Sequence, residues 1–258
     1  MKTATIIQAR MTSTRLPGKV LRPVLGRPLL DFMIERLKRM NHSEQIIVAT
    51  TTNQADDPIV NLAIRRGVGY VRGSEHDVLS RVLLAAHQYQ VDLIVETTAD
   101  CPVIDPVLSD QVVTLFRQNG NLDYASNVLT RSYPRGMDTQ VFPTKILEEV
   151  ARLTQDPVDR EHVSLYIYHH PEKFSLANLA APRECYQPEL RLTVDTMEDF
   201  LLIEQIITHL SPKNPNFSLQ DMLRFLQDNP TLYELNRHIQ QKQVENEQQN
   251  TQNPPVPC

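Results

Sequence analysis

Nothing in the chain approaches the roughly 18 consecutive apolar residues of a membrane span, and the N-terminus lacks the charged, apolar, then small-residue order of a signal peptide. A cytoplasmic protein with no membrane partner is expected. Cysteine is scarce: Cys101, Cys185 and Cys258 lie far apart without CxxC spacing, which argues against a disulfide framework or a structural zinc site and for free thiols. The phosphate loop GxxxxGK[ST] is missing, and Gly67-Val68-Gly69 lacks the third glycine of a dinucleotide fingerprint. Acidic residues are missing from Met1 to Arg27, where six basic ones stand (Lys2, Arg10, Arg15, Lys19, Arg22 and Arg27) in a chain of formal net charge -5. Such a local inversion points to an anionic ligand; no nucleic-acid partner is expected.

What the chain does have is 258 residues, 41% of them hydrophobic, enough for one α/β domain or two small ones around a sizeable core. Its organising stretch is Ile6 to Lys19, IIQARMTSTRLPGK. A β-prone run, Ala4 to Ile7, turns into a loop carrying Arg10, Arg15 and Lys19 among small or hydroxyl residues, and Pro17-Gly18 breaks any helix. Three cations at a strand's carboxyl end can gather a triphosphate, each charge-assisted hydrogen bond contributing roughly 1.5 to 3 kcal/mol. On spacing alone, a solvated basic loop fits equally well.

Strands and helices then alternate. Pro28 to Met40 predicts a helix with Leu30, Met33, Ile34 and Leu37 inward and Arg36, Lys38 and Arg39 outward; Gln45 to Thr50 predicts a buried strand. Asp57-Pro58 reads as N-cap and first position of a helix ending near Gly67, and Tyr70-Val71 as a short strand. Ser74 with Asp77 resembles a capping box opening a helix through Leu79, Val82, Leu83 and Ala86. Leu93 to Glu96 is the next strand, Asp105-Pro106 starts a helix to about Asn119, and Leu122 to Ser126 is a strand again. This alternation predicts an α/β fold with a doubly wound, mostly parallel, Rossmann-like sheet, whose ligands sit at the strands' carboxyl ends. The Arg10 loop, the Thr50 to Gln54 turn and the Asp100 turn are thereby placed on one rim.

Residues 127–189 break the alternation with polar turns, a strand at Val141-Phe142, helices near 144–153 and 159–169, and a strand near 174–179. An inserted lid or dimerisation subdomain is expected there. Leu190 to Val194 reads as a buried strand, Met197 to Leu210 as a helix with Phe200, Ile203, Ile206 and Ile207 inward, and two helices near 218–228 and 231–243 close the fold. The domain is expected to span 1–239. In 240–253 nine of fourteen residues are Gln or Asn, and PPVP follows, so 240–258 is expected to be a disordered tail.

Asp100 and Asp195 each follow a predicted buried strand. A carboxylate there suits Mg²⁺, which takes one or two carboxylates and completes its octahedron with phosphate oxygens and water. Capping the next helix suits it as well. His162 reads more readily as a packed or capping residue than as a base, and His169-His170 as a helix end.

The run ARMTSTRLPGK resembles the signature of the cytidylyltransferases that activate sugar acids, the group of the CMP-Kdo and CMP-sialate synthetases. Within that superfamily the chain is more similar to the spore-coat polysaccharide, SpsF-like, branch. Six further blocks come in the same order: VATTTNQADDPI, RGSEHDVLSR, ETTADCPVIDP, YPRGMDTQVF, DREHVSLYI and LRLTVDTMEDF, spanning about residues 4 to 210. The resemblance implies a nucleotidyltransferase that uses CTP and Mg²⁺ to activate a sugar acid or other anionic acceptor with release of pyrophosphate, for surface polysaccharide synthesis. It also implies that a homodimer can form through the insert. Asp100 in TADCP and Asp195 in TVDT correspond to the metal carboxylates. The nucleotide-binding set becomes Ala9, Arg10, Arg15, Lys19, Ala49, Thr50, Thr98 and Asp100. Of these, Arg10, Lys19 and Asp100 are assigned to catalysis, and Arg15 to clamping the outer phosphates. Arg135, Asp138, Gln140 and Arg160, with Glu161 and His162 nearby, fall where the family binds its acceptor. Many Kdo-type relatives carry Gln-Gly-Asp where this chain has Thr98-Ala99-Asp100, which keeps GTP and UTP beside CTP. Two rivals stand. A nucleotide-sugar-dependent glycosyltransferase shares such a sheet but usually shows an Asp-x-Asp motif that this region lacks; a non-enzymatic nucleotide sensor would tolerate loss of Lys19 or Asp195, and both are present.

Overall fold

A computed structural model describes residues 1–241. The apolar run Thr3–Gln8 forms β1, and a small hairpin follows in its loop, β2 (Pro23–Val24) with β3 (Arg27–Pro28). Then α1 (Leu29–Leu37), β4 (Gln45–Thr51), α2 (Asp57–Arg66), β5 (Gly69–Gly73), α3 (Val78–Gln88), β6 (Leu93–Thr98) and α4 (Pro106–Gln118) alternate as the periodicity predicts. The third quarter holds β7 (Tyr124–Ser126), β8 (Gln140–Pro143), α5 (Thr144–Leu153), α6 (Pro157–Glu161), α7 (Leu165–His169) and β9 (Leu176–Asn178). Three helices close the described residues: α8 (Met197–Leu210), α9 (Leu219–Asp228) and α10 (Pro230–Tyr233).

Seven strands form one mixed, mostly parallel sheet in the order β5-β4-β1-β6-β8-β7-β9, in which β8 alone runs against the others. Alternate side chains leave a strand on opposite faces, and helices cover both, so consecutive residues such as Ile6 and Ile7 are both fully buried. Ile7, Val48 and Val95 pack under α1, α2 and α4; Ile6, Ile47 and Ile94 pack under α3 and α5. From β1 the chain runs outward to β4 and β5, then returns to lay β6 on the other side of β1. The crevice where these connections diverge is the expected ligand position, and Gln8 and Thr98 face one another in register at its floor.

Several elements differ from the sequence pattern. Residues 127–189, expected as an insert, supply β8 and β9 to the central sheet. Leu190 to Val194 is buried but, among the described residues, forms an isolated bridge, Arg191 to Arg135, instead of a strand. Arg36, expected outside, is 4% exposed: its guanidinium donates to the carbonyls of Ile104 and Phe217, which tie α1 to the following loops. The expected helix 159–169 breaks at Val163, whose φ is 53°, into α6 and α7. Asp56 rather than Asp57 is the N-cap position of α2, and Asp77 is itself the cap of α3, accepting the Ser80 N–H at 3.0 Å. The last predicted helix shrinks to α10, and beyond Gln241 the expected tail lies outside the described residues.

Candidate active site

Three loops meet at the crevice. After β1, Gly18 adopts φ 71° and its N–H donates to the Met11 carbonyl at 2.9 Å, folding the loop on itself and turning Lys19 inward. Asp56, at the start of α2, accepts the Met11 N–H at 2.8 Å and pins the same loop to β4. After β6, the Ala99 N–H donates to the Gln8 carbonyl at 2.9 Å. The Asp100 carbonyl then accepts the Val194 N–H at 2.8 Å and the Thr193 hydroxyl at 3.2 Å, which brings the distant 190–195 segment against the β6 loop. Gly136 (φ 95°) lets the turn before β8 lie directly against the same 190–195 segment: a Cβ there would stand 2.4 Å from the Leu192 carbonyl oxygen.

The result is a cluster of charges from opposite ends of the chain. Lys19 Nζ lies 2.9 Å from Asp100 Oδ2 and 2.8 Å from Asp195 Oδ1, and an Arg15 guanidinium nitrogen lies 3.1 Å from Asp195 Oδ2. Burial opposes the Lys19 charge, yet Asp100 and Asp195 together hold its ammonium above the ordinary lysine range. Burial likewise pushes Asp100 up, but Lys19 and the Thr98 hydroxyl, which donates to Asp100 Oδ1 at 2.5 Å, more than offset it and keep the carboxyl below its usual range. A cavity of about 400 Å³ opens beside this cluster; Ala9, Arg10, Arg15, Lys19, Thr98, Asp100 and Asp195 all face it. Arg10 sits at its edge, 3.9 Å from Glu75 and 3.7 Å from Glu161.

Sequence reasoning missed Gln8 and Arg81 on the same wall. Arg81 is 2% exposed, donates only to the carbonyls of Ser74 and Glu75, and keeps a buried Nε–H without a partner among the described residues. Burial, with Arg10 nearby, lowers its guanidinium to about 10. The signal was in the pattern: Arg81 occupies a core-facing position between Leu79 and Val82, where an arginine needs a reason.

Most of the other expected site residues do not line the cavity. Ala49 and Thr50 are fully buried beneath the rim; the Ala49 carbonyl accepts the Ala9 N–H at 3.1 Å, and the Thr50 hydroxyl donates to Asp56 at 3.1 Å. Gln140 accepts from the Tyr124 and Ser164 hydroxyls, both at 2.6 Å. Arg160 makes two contacts with Asp77, of 2.9 and 2.6 Å, clamping α6 to the cap of α3, and does not itself line the cavity. Arg131 makes a two-pronged pair with Asp138, both at 2.9 Å, and the Asp138 carbonyl accepts from Thr97, next to the Asp100 turn. Arg135 has no carboxylate partner among the described residues, and burial with Arg131 nearby lowers its guanidinium from the usual range. Glu161 and His162 reach the cavity edge.

Asp100 and Asp195 suit a hard divalent ion, since their oxygens already converge on one cation, the Lys19 ammonium. The described residues contain no cluster of three or more His, Cys, Asp or Glu, so an ion held by these two would draw its other donors from ligand and water.

The cytidylyltransferase family model matches residues 4–250. The chain belongs to this family. As a cytidylyltransferase it is a nucleotidyltransferase, and it is 33% identical over 231 residues to the spore coat polysaccharide biosynthesis protein SpsF of Bacillus subtilis, covering 87% of this chain and 94% of that one. A solved cytidylyltransferase from Leptospira borgpetersenii is 36% identical with a TM-score of 0.86, covering 94% of this chain and 99% of that one. A CMP-2-keto-3-deoxy-manno-octonic acid synthetase solved with CTP shares the fold at 17% identity and a TM-score of 0.61, over 81% of this chain and 99% of that one. Among the described residues of this cytidylyltransferase, no helix is long and apolar enough to cross a membrane.

Proposed function

We propose that this cytidylyltransferase transfers a cytidylyl group from CTP to an anionic acceptor of the sugar-acid class and releases pyrophosphate, in the synthesis of a surface polysaccharide. The observation that carries the reading is the Lys19 ammonium held between Asp100 and Asp195 on the wall of a cavity that Arg10, Arg15 and Arg81 also face. Four cations around about 400 Å³ suit a triphosphate, whose charge would otherwise be poorly matched there.

An acceptor oxygen attacks the α-phosphorus, the bond to the bridging oxygen of pyrophosphate breaks, and negative charge grows on the α-phosphoryl oxygens and the leaving oxygen. Arg10 and Lys19 stabilise that charge from fixed positions, while Arg15 holds the outer phosphates. Asp100 and Asp195 would hold Mg²⁺, which supplies Lewis-acid charge to phosphate oxygens when bound. Thr98 holds Asp100 by its hydrogen bond, and the Asp100 carbonyl, tied to Val194, keeps the two carboxylates at one place. On the acceptor side Arg135 is the arginine without a carboxylate ion pair among the described residues, so it is the cation to receive the acceptor's anionic group; Arg131 and Asp138 border the same turn.

Pyrophosphate release measured with CTP, UTP, GTP and ATP against a panel of sugar acids, phosphorylated sugars and neutral sugars tests the reading. CTP with a sugar acid should be fastest and should need a divalent ion. Faster turnover with UTP or GTP would overturn the nucleotide, and neutral acceptors outcompeting acidic ones would overturn the acceptor class.

A further inference from the structure

Behind Asp195 stands a buried polar cluster that the proposed transfer step does not use. Asp199, wholly buried in the first turn of α8, accepts through Oδ2 from the Asp195 and Thr196 N–H groups at 3.0 and 3.2 Å. Those bonds, with the Thr196 side chain, complete an ordinary capping box. A cap needs nothing more. Yet Arg191, 3% exposed, also donates to Asp199 from Nε (3.1 Å) and from a terminal nitrogen (3.0 Å), and Asn236 Nδ2 donates to Asp199 Oδ1 at 2.8 Å and to the Arg191 carbonyl at 3.0 Å. The other terminal nitrogen of Arg191 reaches Gln241 Oε1 at 2.7 Å.

The charges are unevenly shared. Arg191 makes two contacts with Asp199 but a single one, at 3.2 Å, with Asp195 Oδ2. Asp199 therefore takes up most of the guanidinium's attraction, and Asp195 keeps its other oxygen directed at Lys19 and the cavity. Without Asp199, Arg191 would close on Asp195 as a full ion pair and compete with any cation for it.

We propose that Arg191, Asp199 and Asn236 are positioning residues for Asp195, holding its carboxylate toward the cation site and keeping it free of a competing guanidinium. The turn after α10, which carries Asn236, is then part of the active-site framework although it faces no substrate. This rests on Asp195 as a metal ligand, the reading given under Proposed function. Hydrogen-bond partners behind a metal ligand are generally worth 10- to 100-fold in metal affinity or activity, about the size of effect expected here.

The test uses the full-length protein with CTP. Mn²⁺ affinity is measured by electron paramagnetic resonance, and CTP affinity in EDTA by calorimetry, for wild type, Asp199→Asn, Asn236→Ala and Asp195→Asn. Asp199→Asn and Asn236→Ala should raise the Mn²⁺ Kd by about tenfold or more while CTP affinity in EDTA stays within about twofold. If Asp199→Asn does not fold, Asn236→Ala decides. Unchanged Mn²⁺ affinity in these variants, or an equal loss of CTP affinity in EDTA, would mean a merely structural role and overturn the proposal. Asp195→Asn separates the two readings: if it retains wild-type Mn²⁺ affinity the metal assignment itself falls, whereas if it loses affinity and Asp199→Asn does not, the positioning role alone falls.

Discussion

The carboxyl-end rim and the 127–189 segment are both rich in arginine and aspartate, but they use them differently. On the rim, one lysine is shared by two carboxylates from distant parts of the chain, and the cations around it outnumber what those carboxylates can satisfy. In the later segment Arg131 and Arg160 each take one carboxylate in a two-pronged grip, Asp138 and Asp77, and have little left to offer a ligand. A basic residue in a suggestive block is therefore a ligand contact only where its charge is left in excess. By that measure Arg81 and Arg135 gain weight and Arg160 loses it.

Removing a shared carboxylate should have the largest effect. Asp100→Asn or Asp195→Asn is expected to lower kcat at least about a hundredfold in steady-state pyrophosphate release, since each removes a negative charge from beside the proposed ion. Near-normal rates in both would erase the contrast between the rim and the later segment. Next comes Lys19→Ala, which should reduce kcat more than it raises the nucleotide KM, whereas Arg15→Ala should do the reverse. Equal KM effects with unchanged kcat would assign Lys19 to ground-state binding only.

A pH experiment on a buried group gives a smaller effect. Glu96, fully buried under the crevice with one carboxyl oxygen lacking a partner among the described residues, is pushed by burial to about 8, against an ordinary 4.5, despite accepting a hydrogen bond from Gln8. Because the folded state keeps the proton that the unfolded chain releases, this group's contribution is complete below pH about 4.5 and is lost as pH rises from there to about 8. Glu96→Gln should flatten that part of the Tm–pH curve, and an unaltered curve would show that Glu96 ionises normally. The smallest effect should come from Arg160→Ala: its partly exposed pair with Asp77 contributes at most about 1 kcal/mol, so Tm should fall by no more than about 4 °C with the acceptor KM unchanged. A large rise in acceptor KM would return Arg160 to the acceptor site.

Local pattern carried much of this protein. The alternation of buried runs with helical spacing set β1 and the elements from α1 to α4, though not the β2–β3 hairpin between them, and Pro106 after Asp105 marked the start of α4, because hydrophobic period and cap chemistry are properties of neighbouring residues. The cationic loop with Pro17-Gly18, and the two aspartates following apolar runs, were likewise legible. What lay beyond the sequence was every decision made between distant segments. That Leu190 to Val194 bridges to Arg135 instead of joining the sheet, that Arg36 turns inward to cap two loops, and that Arg160 binds Asp77 depend on which carbonyl or carboxylate lies within about 3 Å after folding. Charge attraction and hydrogen bonding act over such short ranges that only the packed structure could choose their partners. The sequence by itself therefore determined the layers and supplied the site's chemistry; the tertiary structure decided which charges share a cavity, which are neutralised, and that Asn236 and Asp199 stand behind Asp195.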